Sequence, residues 1–107
     1  MKMLLDENLP HRLHRDFPLP HRVYSAQYIG WLGMKNGALL DAMMKEGFEA
    51  LITWDKNLEF QQNFSKYPIT GFCFHTPVNK YLFLKGKIQK ITDAIGKGVK
   101  PGAVIIE

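Results

Sequence analysis

Met3-Leu4-Leu5-Asp6-Glu7-Asn8 sets three apolar residues directly against two adjacent carboxylates, with Pro10 close behind. Such a run reads as a strand that ends in acid and hands over to a helix. Its near-continuous apolar character suits a strand covered on both faces. Ala50-Leu51-Ile52-Thr53-Trp54-Asp55-Lys56-Asn57 repeats the design later in the chain. If the two strands are parallel neighbours, Asp6 and Asp55 meet at the carboxyl edge of one sheet, where open α/β sheets bind their ligands.

Outward from these strands, helical and extended patterns alternate. Leu9, Leu13 and Phe17 recur at i, i+4, i+8 and predict a helix from Asn8 or Leu9, with Pro10 tolerated in its first turn and Pro18 and Pro20 stopping it. His11, Arg12, His14 and Arg15 are expected to point outward. Arg22–Ser25 reads as a short strand. Gln27 to Gly37, with three glycines and two aromatics, reads as a shaped loop. Leu39, Leu40, Met43 and Met44 give the inward face of a helix that Gly47 ends. Glu49–Thr53 is the next strand, Leu58–Phe64 a short helix, and Ile69–Phe74 an apolar strand. Tyr81, Leu84, Ile88, Ile91 and Ile95 follow a 3,4,3,4 spacing, which predicts one amphipathic helix. Ala103–Ile106 closes as a strand.

This order predicts the α/β class: a single domain over residues 1–107, with a mainly parallel central sheet of about five strands and helices on both faces. Right-handed crossovers are expected throughout. With 107 residues and 46% apolar composition, the chain can bury one core. No apolar run is long enough to span a membrane, so no membrane partner is expected. The early carboxylates argue against a signal peptide, and the lone Cys73 in Phe72-Cys73-Phe74 reads as core, so a reduced, cytoplasmic protein is expected. A net charge of +4 favours encounter with polyanions. The basic residues gather between His11 and Arg22 and between Lys80 and Lys100.

Carboxylates gathered at one sheet edge repel one another, and a hard divalent cation with oxygen ligands relieves this; Mg²⁺ takes one or two carboxylates and keeps several waters. The candidates are Asp6, Glu7, Asp41, Asp55 and Asn57, with Asn36, Gln61 and Gln62 placed to orient water or phosphate. Helix capping competes as an explanation for Asp6, Asn36, Asp55 and Asn57 taken singly. One cap needs only one acceptor, so the adjacent pair Asp6-Glu7 is less easily explained that way. His11 and His14 have ligand-like spacing, but the arginines around them argue for a solvated basic face or phosphate contact over zinc. Trp31 is read as packing beside the sheet, with base stacking as the alternative.

Leu4-Leu5-Asp6-Glu7-Asn8-Leu9-Pro10, Gly30-Trp31 with Lys35-Asn36-Gly37-Ala38-Leu39-Leu40, and Leu51-Ile52-Thr53-Trp54-Asp55-Lys56-Asn57-Leu58-Glu59-Phe60-Gln61-Gln62-Asn63 resemble, in this order and over nearly the whole chain, a bacterial family of small PIN-like proteins related to PIN-domain ribonucleases, including VapC-type toxins. The resemblance implies a metal-dependent ribonuclease: Mg²⁺ or Mn²⁺ held by Asp6 and Asp55, Glu7 or Asp41 completing the site, and Asn36, Asn57, Gln61 and Gln62 positioning single-stranded RNA. It further implies the toxin of a toxin–antitoxin pair, with an antitoxin protein as partner; a homodimer is compatible with the chain. Two departures stand out. Ala38 and Asn57 occupy positions that are often acidic in relatives, and Asp41, one turn after Ala38, is the nearest substitute. The rival expectation is therefore a catalytically weakened module that binds RNA or a partner protein. A nucleotide-binding protein of flavodoxin-like topology is a third, against which stands the lack of a phosphate loop after the first strand.

Overall fold

The computed structural model describes residues 1–34, 36–54 and 64–107, leaving aside the side chains of Asn36 and Ser65. Five strands, β1 (Lys2–Leu5), β2 (Arg22–Ser25), β3 (Ala50–Thr53), β4 (Thr70–Phe74) and β5 (Gly102–Ile106), form one sheet in the order β2-β1-β3-β4-β5. Every pairing is parallel. The register sets Leu5 beside Ser25 on one side and beside Ile52 on the other. The strands Ala50–Thr53 and Thr70–Phe74 are buried along their whole length, as their unbroken apolar runs predict.

Side chains alternate between two cores. Met3, Leu5, Ile52, Phe72 and Phe74 face one side, where they meet Leu9, Leu13, Phe17, Leu84, Ile88 and Ile91. Leu4, Leu51 and Cys73 face the other, against Leu39, Leu40, Met43, Phe48 and Phe64. Cys73 is buried, as expected of a core thiol.

The second core is covered by α1 (Asn36–Lys45). Its end is a Schellman motif: the Phe48 N–H reaches the Met43 carbonyl at 2.9 Å and the Gly47 N–H reaches Met44 at 3.1 Å. Gly47 carries the left-handed φ of 77° that this turn requires, and Phe48 folds back into the core beside Met43.

The first core departs from expectation in two ways. The segment after β1 is a 3-10 helix over His11–Asp16, not an α-helix from Leu9, and Leu13 is its buried residue. The expected single amphipathic helix is two, α2 (Tyr81–Lys85) and α3 (Ile88–Lys97), parted at Gly86. The 3,4,3,4 spacing survives the break, since Leu84, Ile88 and Ile91 all stay buried.

The crossovers are not all of one hand. Those from β1 to β2 and from β4 to β5 cover the same face but step in opposite directions across the sheet, so one of them departs from the right-handed rule. Contacts that hold α2 there are specific. The Tyr81 hydroxyl donates to Asp16 at 2.7 Å, and the Arg12 guanidinium stacks over the Tyr81 ring at 4.2 Å. A six-residue 3-10 helix is too short to cover a five-stranded face, and α2 and α3 supply the rest.

Two outcomes follow from backbone and burial. Gly47→Ala forces a side chain into a left-handed conformation with no steric clash around it; a loss of about 1–2 kcal/mol is expected by urea denaturation. His21 has a buried Nδ1 without a partner among the described residues. Burial, and next the charge of the N-terminus, lower its pKa from 6.5. Between the folded value and 6.5 the unfolded chain binds more protons, so stability falls as pH drops through that window and is unaffected above it. Denaturation midpoints across this range should show that fall, and His21→Asn should flatten it.

Candidate functional site

Where the strand order reverses, β1 lies between β2 and β3, and the chain leaves β1 and β3 side by side at the carboxyl edge. This is the switch point at which open α/β sheets leave a crevice for ligands. Asp6 is the first residue past β1, and its N–H continues the ladder to the Ile52 carbonyl at 2.9 Å.

The Asp6 carboxylate is held from two sides. Oδ2 accepts the Thr53 hydroxyl at 2.8 Å, and Oδ1 accepts the Glu7 N–H at 2.8 Å. Thr53 is fully buried and also accepts a hydrogen bond from the Asn8 amide at 3.2 Å. The Asn8 side-chain oxygen takes the Trp54 N–H at 3.1 Å, and its backbone carbonyl takes the Asn79 amide at 2.8 Å. A chain of hydrogen bonds thus joins the exits of β1 and β3 and the loop after β4. It locks the orientation of the first acid.

Glu7 is exposed and turns the other way, its Oε1 accepting the Gly33 N–H at 3.1 Å. It ties the loop before α1 to the exit of β1. That loop is as ordered as its glycines and aromatics predict: Gly30 and Gly33 have φ of 80° and 83°, the Trp31 N–H reaches the Ala26 carbonyl, and the Trp31 ring packs edge-on to Phe48 at 5.7 Å. Trp31 therefore packs, as read. Asp41 lies on the exposed face of α1 and accepts the Tyr67 hydroxyl at 2.7 Å. That bond, ahead of desolvation and the Asp41 charge, raises the Tyr67 pKa.

Asp55, Asn57, Gln61 and Gln62 lie outside the described residues, and Asn36 is placed only as the start of α1. Among the described residues, no group of three or more His, Cys, Asp or Glu side chains is arranged to hold a metal ion. Asp6 and Glu7 share the β1 exit, whereas Asp41 is engaged with Tyr67. Donors at the strand exits are oxygens and amides, the chemistry of Mg²⁺ or Mn²⁺. Asp6 fits as one of the one or two carboxylates such an ion takes.

Thr53 and Asn8 are the site residues that sequence reasoning passed over, the first as the end of a strand and the second as a helix cap. A hydroxyl at the last position of an otherwise apolar strand was the available signal. Nothing in the sequence pointed to Asn79, whose contact with Asn8 spans 71 positions.

The two basic regions meet through the packing of α2 on the 3-10 helix, with Arg12 on Tyr81 and Lys85 at 3.9 Å from Asp16. Asn79 brings the start of the second region to the loop that carries Asp6. No described helix is long and apolar enough to cross a membrane. The chain matches no protein-family model, no curated protein and no solved structure.

Thr53→Val keeps the shape of the side chain and removes the hydroxyl that Asp6 and Asn8 share. The expected loss is about 1–3 kcal/mol, measured by chemical denaturation, and Thr53→Ser should recover most of it.

Proposed function

We propose that the chain is a PIN-type, metal-dependent ribonuclease acting on single-stranded RNA, with the site at the exits of β1 and β3. The observation that carries this reading is the Asp6 carboxylate, fixed by the buried Thr53 hydroxyl at the switch point of the sheet. A carboxylate in a fixed orientation is a better cation ligand than a mobile one, because little orientational freedom is lost on binding. Asp55 follows β3 by two residues and is the second acid of the proposal. A Mg²⁺ or Mn²⁺ ion bound there would offset phosphoryl charge and activate water for attack on the phosphodiester. Glu7, Asn36, Asn57, Gln61 and Gln62 would complete and frame the site. Arg12, Lys80 and Lys85 would draw the phosphate backbone towards it. Acid at the β1 exit, where a phosphate loop would need backbone amides, disfavours the nucleotide-binding alternative despite a strand order that flavodoxin-like proteins share.

A second reading has its own support. Glu7 anchors Gly33, and Asp41 holds Tyr67, so two of the expected acids have structural partners. With Ala38 and Asn57 in place of acids, the same fold serves as a module that binds RNA or an antitoxin-type protein without cutting.

Melting with and without millimolar Mn²⁺ separates the two, since a ligand stabilises the state that binds it. The nuclease reading expects a rise in Tm and Mn²⁺-dependent cleavage of single-stranded RNA, both reduced at least tenfold in apparent Mn²⁺ affinity by Asp6→Asn. No shift with wild-type protein favours the binding module, and equal cleavage by the variant removes Asp6 from the mechanism.

A further inference from the structure

The 3-10 helix after β1 carries a second set of ligand-type side chains, different in residue and donor type from the acids at the β1 exit. With three residues per turn, this helix stacks its side chains in three rows about 120° apart. His11 and His14 form one row, Arg12 and Arg15 the next, Leu13 and Asp16 the third. The buried Leu13 confirms which row faces the core. The arginines that made a metal site look unfavourable in the sequence therefore belong to a different row from the imidazoles. Arg12 is moreover stacked on Tyr81.

Within the histidine row the rings lie 4.7 Å apart, centroid to centroid, inclined at 48°. Both are half-buried, where an outward, solvated pair was expected. Each has one nitrogen engaged internally. His14 Nδ1 is 2.7 Å from the His11 carbonyl oxygen. A carbonyl only accepts, so this nitrogen carries the proton, and in the neutral ring Nε2 keeps its lone pair. His11 Nδ1 is 2.6 Å from Ser25 Oγ. Ser25 is buried, and its hydroxyl also accepts the Tyr28 N–H at 3.0 Å. Because a hydroxyl can accept a second hydrogen bond, His11 can hold its proton on Nδ1 and present Nε2 as well. One ring nitrogen held by a carbonyl or another fixed polar group, the other presented as a ligand, is the arrangement seen around metal-binding histidines.

We propose that His11 and His14 form a binding site for a divalent transition metal, Zn²⁺, Ni²⁺ or Cu²⁺, through their Nε2 atoms, with water completing the coordination. The ring spacing suits this. With metal–nitrogen bonds of about 2.1 Å, two imidazoles at roughly 95–110° around one ion have centroids about 4.8–5.3 Å apart, so the rings need to part by only a few tenths of an ångström. Imidazole selects these metals, whereas the oxygen donors near Asp6 select Mg²⁺ or Mn²⁺. The two sites are thus separable by ion as well as by residue. Two protein ligands make the affinity moderate, and Ser25 acts as a positioning residue for His11.

The test is isothermal titration of the full chain with Zn²⁺, with imidazole nitrogen NMR as a second readout. Expected are saturable binding of one ion per chain, a Kd at least tenfold weaker in His14→Gln and in His11→Gln, unchanged Zn²⁺ binding in Asp6→Asn, and Zn²⁺-induced shifts at Nε2 of His11 and His14. Since His11→Gln also loses the Ser25 contact, the His14→Gln and NMR arms decide the matter if that variant melts early. Lack of saturable binding by the wild type, equal affinity in His14→Gln, or shifts confined to His21 and His75 would overturn the proposal.

Discussion

The hydroxyl that Thr53 donates to the Asp6 carboxylate at 2.8 Å is the buried centre of the hydrogen bonds that join the exits of β1 and β3. Thr53 is fully buried, and a buried hydroxyl left without partners is expensive. Its bonds to Asp6 and Asn8 satisfy it in both directions, as donor and as acceptor. The same bonds oppose a slip of β1 against β3, because moving either strand by one residue would turn its apolar set to the wrong face and separate the polar partners. Register and site geometry thus rest on the same few atoms.

Asp6 and Glu7 lie at the exit of β1, and the two basic regions meet where α2 packs on the 3-10 helix. Tyr81 joins the two helical segments, since one side of its ring takes the Arg12 guanidinium and its hydroxyl donates to Asp16. The partners of Glu7 and Asp41 show that an acidic side chain near a site can also be spent on holding a loop or a helix in place.

The three inner strands were legible because they are short, largely apolar runs, and burial on both faces leaves such runs few alternatives. Asp6 was legible for the same reason: a carboxylate immediately after Met3-Leu4-Leu5 must sit at the strand's exit. What escaped was local geometry that periodicity does not encode. Leu9, Leu13 and Phe17 have α-helical spacing, yet with Pro10 at the entry and Pro18 at the exit, only a tighter six-residue turn forms between them. Ile88 and Ile91 continue the apolar stripe of Leu84 across Gly86, so hydrophobicity alone gave no sign of the break. The inward turn of His11 depends on Ser25, fourteen positions away, and no pattern within one segment reports such a contact.

An all-parallel sheet has a kinetic consequence. No hairpin joins the described strands, so the nearest strand partners in sequence, Lys2 with Arg22 and Ala50 with Thr70, are already twenty positions apart, and Met3 must find Ala50 across a much longer gap. Most of the loop-closure entropy is lost before these pairings offer any return, and chains organised this way fold more slowly than those rich in local contacts. The first strand precedes the other four in sequence and lies between the second and the third. Its edge towards the third stays unpaired until that strand exists. During that interval the adjoining acids, Asp6 and Glu7, keep a charged end on a segment that would otherwise be a ready template for aggregation.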